Sequence, residues 1–225
     1  DRVEVRFDID EKGHPISVFF KESKDANKLI EEFMLLANRV VAATIGIAPK
    51  KKKAKAFVYR VHDVPDPERL ANLAELARVF GYKLKVKGTP KDINRSINKM
   101  LADIKGKGEE NFLSTLAIRS MAKAIYTTTN IGHYGLGFEY YTHFTSPIRR
   151  YPDMMVHRLL ARYLAGGRSV NLQKLEDECK HSSDMEQLAA NAERASIKYK
   201  QVEYMADHLG EVYTGVISGV TEWGL

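Results

Sequence analysis

Residues 140–158, YYTHFTSPIRRYPDMMVHR, place two adjacent arginines just after a Thr-Ser-Pro step and surround them with aromatic rings. A guanidinium matches two phosphate oxygens at once and keeps its charge at neutral pH. Arg149 and Arg150 therefore suit a phosphate, and an arginine aimed at the oxygens that gain charge during phosphodiester hydrolysis stabilises the transition state. The spacing predicts a helix start at Ser146–Pro147, with Thr145 or Ser146 as cap and with outward N–H groups that add positive potential. Tyr140, Tyr141, Phe144 and Tyr151 offer faces on which bases could stack. The same residues also fit a capped helix whose arginines pair with local carboxylates and whose aromatics pack in a core. Pro152 implies a kink or a second helix start, and Asp153 is spaced to pair with an arginine and orient it.

Local patterns predict the elements that must hold this segment. Val3, Val5 and Phe7 alternate with charged residues, as do Ile16, Val18 and Phe20, so residues 3–21 read as a β-hairpin turning at Glu11-Lys12-Gly13. Residues 25–44 keep helical apolar spacing and read as a largely buried helix. AFVYRV at 56–61 reads as a strand. Asp66-Pro67 and Thr89-Pro90 each start a helix, running to about Phe80 and Asp103. A further helix is expected over Glu109–Tyr126, and a glycine-bearing loop or bulged strand over Gly132–Glu139. Helices follow from Pro152 to Leu164 and on to about Leu209, the latter with a fresh start near Ser183, whose spacing to Glu186 fits a capping box. The fold class is α+β, a mixed sheet with several packed helices.

The chain has 225 residues and 44% apolar content, enough for a sizeable core. It lacks a run long enough to span a membrane and an N-terminal signal pattern. The single Cys179 makes no internal disulfide, which fits a reducing cytoplasm, and it reads as structural rather than nucleophilic. A net charge of +6 is compatible with a polyanionic partner. The lysine run at 50–53 reads as a solvated loop or a non-specific phosphate contact. Nothing in the pattern sets an oligomeric state.

HFTSPIRRYPD followed by an apolar helix with His and Arg resembles the catalytic domain of the ribonuclease II/ribonuclease R family. LIEEFMLLAN at 29–38, FVYRVHDVP at 57–65 and NIGHYGLGFEYYTHFTSPIRRYPD at 130–153 match it in order. The GHYGL form and the full RRYPD lie nearer the ribonuclease R side. GEVYTGVISGVTEWGL at the C-terminus resembles the opening of an OB-fold RNA-binding domain. The resemblance implies residues 1–209 as the C-terminal part of a catalytic domain and 210–225 as the truncated start of an OB-fold. It also implies 3′-to-5′ hydrolysis of single-stranded RNA to nucleoside 5′-monophosphates with Mg²⁺. Arg149 is then the catalytic arginine, with Thr145, Ser146 and Arg150 as supports or phosphate contacts. Glu32 faces the 3′-terminal nucleotides and Glu193 lies near the product end; Tyr141 and Phe144 are expected as RNA contacts from their ring faces, since the family's base-clamping aromatics lie largely upstream. A non-catalytic RNA-binding relative is the alternative.

A metal-dependent phosphodiesterase needs convergent carboxylates, and the family's aspartate-rich motif is not found in these residues. Asp8 and Asp10 share one strand face before a turn and read as a solvated face or turn cap. Asp153 and His157 lie one helical turn apart, a pair without a third ligand. His62, His133, His143 and His181 show no ligand or triad spacing. No Mg²⁺ is expected to bind to this chain alone.

Overall fold

The computed structural model describes residues 4–21, 24–48, 53–215 and 222. The architecture is α+β. Its strands form two antiparallel ribbons, β1 (Glu4–Ile9) with β2 (Pro15–Lys21) and β3 (Tyr59–Val61) with β4 (Ile125–Thr127). A parallel bridge from His62 to His133 adds a mixed extension to the second ribbon. The helices are α1 (Asp25–Gly46), α2 (Pro67–Val79), α3 (Pro90–Asp103), α4 (Glu110–Ser120), α5 (Tyr151–Leu164) and α6 (Leu172–Ala206).

Local chemistry sets several boundaries where the sequence places them. Asp66 accepts a hydrogen bond from the Arg69 amide to cap α2, and Thr89 with Asp92 forms a capping box on α3. Asp10 accepts from the Lys12 and His14 amides and so caps the β1–β2 turn, while Asp8 accepts from the Ser17 hydroxyl. Gly46 ends α1 where a Cβ would come within 2.6 Å of the Tyr140 ring and 2.8 Å of the Tyr59 hydroxyl. That close approach lets α1 pack against the 140s segment.

Four expectations are corrected. The helix predicted over Glu109–Tyr126 stops at Ser120, and Ile125–Thr127 instead pairs with β3. β-Branched Ile125, Thr127, Thr128 and Thr129 favour extended backbone over helix. The break near Ser183 does not occur, because α6 is continuous over 35 residues. Ser182 and Ser183 donate to the carbonyls of Glu178 and Cys179, one turn back, instead of capping a new helix. α1 is not largely buried: Leu29, Ile30, Phe33, Leu36 and Val40 are each more than half exposed, and Asn38 and Ala42 are its buried residues. Helical spacing states which side chains share a face, not what covers that face. Finally, no helix begins at Ser146, as described below. The lysines at 50–52 and most of the C-terminal stretch read as strands lie outside the described residues.

Two cores result. One joins β3 and β4 to α5 and α6 through Phe57, Val58, Val61, Tyr126, Val156, Leu159 and Cys179. The other fills the α2–α3–α4 unit with Leu70, Leu73, Ile97, Met100, Ile104 and Leu113. Burial raises the Cys179 thiol to about 12, which suits a structural residue. The β1–β2 hairpin packs on the C-terminal part of α6, where His14 bonds Asp207 and Glu203.

Candidate phosphate-binding cleft

Residues 147–149 form a turn, closed by the Arg149 and Arg150 amides on the Ser146 carbonyl at 3.3 and 3.1 Å. α5 begins only at Tyr151, with Arg150 as its N-cap residue and Pro152 in its first turn. Pro152 lacks an N–H and is preorganised for a first turn, so it fixes the start there rather than at Pro147. Neither Thr145 nor Ser146 caps a helix, and the expected helix-end potential at Ser146 is absent.

Side chains brace the turn from two sides. Asn38, 3% exposed on α1, accepts from the Phe144 and Thr145 amides at 2.9 and 3.2 Å and donates to the Tyr141 hydroxyl at 3.2 Å. Asp153, 0% exposed on α5, accepts from the Ser146 amide at 2.7 Å and from Arg150 Nη2 at 2.8 Å through the same oxygen. His157 bonds the Phe144 carbonyl and stacks on its ring with centroids 4.0 Å apart. Thus Arg150 points inward to Asp153. Arg149 is exposed, and its guanidinium has no hydrogen-bond or ion-pair partner among the described residues.

Beneath the turn runs a polar and aromatic layer. Arg60 makes a two-pronged pair with Glu186 at 2.6 and 3.1 Å and lies over the Tyr126 ring. The Tyr126 hydroxyl lies 2.8 Å from His143 Nδ1. Burial drives His143 down to about 3, helped by the positive charge of Arg150 and Arg60, and burial lowers His133 to about 4. Both rings are neutral near pH 7. Burial raises Tyr126 to about 12, so it remains protonated and donates to His143. Ser183 of α6 accepts from the Tyr126 amide. Burial opposes the charge on Glu176, but hydrogen bonds from Thr128 and Thr127 outweigh it and hold this carboxyl below the usual range.

Arg149 and Arg150 open onto a cleft of about 650 Å³ shared with Tyr151, His181, Glu186 and Glu193. The structure therefore brings together Arg149, Arg150 and Glu193 from the sequence candidates. Thr145 and Ser146 lie in the braced approach, and the Thr145 hydroxyl is buried without a protein partner. Tyr141 is 5% exposed and packs edge-on to His133 and His143, so it supports the core instead of offering a free face. One face of Phe144 is taken by His157, whereas Tyr151 is exposed at the cleft. Glu32 sits exposed on α1, six residues before Asn38, and does not line this cleft. Asn38, Arg60, Tyr126 and Glu186 were missed by sequence reasoning. Asn38 alone left a signal, a polar residue on the face that Leu35 and Ala42 share.

Three of the buried polar atoms without a protein partner fall in this one segment: Thr145 Oγ1, Arg150 Nε and Asp153 Oδ2. A Mg²⁺ site does not fit here. Among the described residues no three His, Cys, Asp or Glu side chains converge, and Asp153 and His157 are committed to Ser146, Arg150 and Phe144.

The family described as RNB domain matches residues 1–166. Ribonuclease R 1 of Lactococcus lactis is 41% identical over 231 residues, which cover 100% of this chain and 27% of that protein. Mycoplasma genitalium RNase R in complex with ribose-methylated single-stranded RNA superposes with a TM-score of 0.86 at 29% identity, covering 100% of this chain and 35% of that one. Yeast Ssd1, described as a pseudonuclease, has a TM-score of 0.58 at 25% identity over 72% of this chain and 20% of its own. The chain spans about a quarter to a third of the ribonuclease R proteins it matches.

Proposed function

This chain belongs to the RNB domain family, and on that premise we propose that it is the arginine-bearing part of a 3′-to-5′ exoribonuclease of the ribonuclease R kind. Its substrate is single-stranded RNA, its products are nucleoside 5′-monophosphates, and its reaction requires Mg²⁺. The observation that carries this reading is the unpaired Arg149 guanidinium, held at the cleft by a turn braced through Asn38 and Asp153. A turn fixed before substrate arrives limits the reorganisation needed to bring the Arg149 side chain to the developing charge. Arg149 donates to the non-bridging oxygens of the scissile phosphate as they gain charge. Arg150 is a positioning residue that ties the turn to Asp153, and Ser146 acts through its amide. Thr145 and Phe144 shape the approach, and Glu193 faces the departing nucleotide. Glu32 contacts the 3′-terminal nucleotides from a different surface.

The carboxylates that hold Mg²⁺ come from outside these residues. We place the domain boundary after residue 209, with residues 210–225 opening an OB-fold. No helix among the described residues is long and apolar enough to cross a membrane, and the proposed location is the cytoplasm. The likeness to a pseudonuclease supports one second reading, an RNA-binding relative that has lost hydrolysis.

Incubating the full-length protein with single-stranded RNA and Mg²⁺ separates the two readings. Chelator-sensitive release of nucleoside 5′-monophosphates is expected, and tight binding without release would establish the second reading. The 225-residue chain by itself should release none. Chelator-sensitive hydrolysis by that chain would contradict the assignment of the metal ligands elsewhere.

A further inference from the structure

A second, larger concavity of about 1170 Å³ lies between the start of α2, the end of α4 and the segment that follows it, and α6 contributes Arg194 to its wall. Arg69, Arg119, Lys123 and Arg194 bring four positive charges into it, against the carboxylates of Asp63 and Asp66. Both carboxylates accept local backbone amides, from Val64 and Arg69 respectively. None of the four cations forms an ion pair among the described residues. Arg69 donates to the Arg119 carbonyl, and Arg194 donates to the Ala190 carbonyl and the Asn191 side chain, contacts that neutralise no charge. The contrast is with Arg60, Arg150 and Lys200, each matched to a carboxylate. Four exposed cations left unpaired in one groove create a local positive potential that attracts an anion.

The groove and the Arg149 cleft both reach α6, at consecutive residues. Glu193 lines the cleft and Arg194 lines the groove, and consecutive residues on a helix project about 100° apart with a rise of about 1.5 Å. The two concavities thus lie on adjacent faces of α6. We infer that this groove is a docking track for the phosphodiester backbone of an RNA strand whose 3′ end occupies the Arg149 cleft. The inference rests on the ribonuclease reading for its occupant, and on the unpaired charge for its chemistry. Guanidinium and ammonium groups here grip phosphates and read no base edges, so the contact is indifferent to sequence and sensitive to salt.

The test uses the full-length protein and a variant with Arg69→Gln, Arg119→Gln and Lys123→Gln. All three side chains are exposed, so the fold should be retained, which circular dichroism checks. Affinity is measured against salt for two single-stranded RNAs, roughly four and roughly sixteen nucleotides long, a range that separates cleft-filling from track-filling strands. Removing three phosphate contacts should reduce the salt slope for the longer RNA by about 2. The short RNA should keep its slope, and its turnover should not change. An unchanged slope for the longer RNA, or equal losses for both lengths, would overturn the inference. So would a variant whose affinity for adenosine 5′-monophosphate falls while its RNA slope holds, which would make the groove a product site. If the wild-type protein binds RNA without hydrolysing it and the slope still falls, the track stands and the exoribonuclease reading fails.

Discussion

The core beneath the Arg149 cleft and the core of the α2–α4 unit are built by different rules. In the first, Asn38, Thr127, Thr142 and Asp153 are buried alongside apolar side chains, and each bonds a specific partner. In the second, the buried residues are apolar, with Ser120 at the margin turned back on the Ala117 carbonyl. Apolar contact is non-directional and tolerates changes of shape. Hydrogen bonds to buried groups fix positions, at a cost if one partner is lost. The first region therefore gives up stability to place one turn, whereas the interior of the second is held by apolar contact.

The largest expected effect of breaking this contrast is at Asp153. Asp153→Ala leaves the Ser146 amide and the Arg150 guanidinium unpaired, and should lower stability by about 3–5 kcal/mol. Denaturant unfolding measures it, and a loss below about 1 kcal/mol would mean that the turn is not braced through this carboxylate. In the apolar core, Leu73→Ala should cost about 2–5 kcal/mol, whereas Leu73→Met should cost less than about 1.5 kcal/mol. Neither change should alter turnover in the full-length protein under conditions where it remains folded. If Leu73→Met slowed turnover, the division between placing and stabilising regions would fail.

Part of this division was legible in the sequence. Caps at Asp66 and Thr89 are local, so α2 and α3 could be read from a few residues. Arg149 and Arg150 lie in one short motif, so the cleft's charge was visible as well. At β4 the β-branched Ile125 and Thr127 already favour extended backbone, and pairing with β3, over sixty residues earlier, completes the strand. The break expected near Ser183 reflected a spacing that fits a cap, but that hydroxyl bonds back to Cys179. Asn38 and Asp153 come from helices more than a hundred residues apart, and nothing in either helix states that they meet at one turn. Adjacent Arg149 and Arg150 look equivalent in sequence, yet Asp153 takes only the second.

The smallest effect, absent at neutral pH, comes from the buried histidines of the first region. An unfolded histidine takes a proton near 6.5, whereas His133 and His143 resist it down to about 4 and about 3. Acid therefore favours the unfolded chain. Stability should be fully present above about pH 6.5 and should fall as pH drops through the window toward 4 and then 3. His143→Phe should flatten the lower part of that decline in a pH series of unfolding curves. An identical decline in the variant would place the acid sensitivity elsewhere.

The most direct test of the central claim compares Arg149→Ala with wild type in the full-length protein, by single-turnover hydrolysis and by RNA affinity. The account predicts a rate about 10²–10³ lower with affinity nearly unchanged, the signature of a contact made in the transition state. Equal losses in rate and affinity would contradict it, and would make Arg149 an anchor for bound RNA.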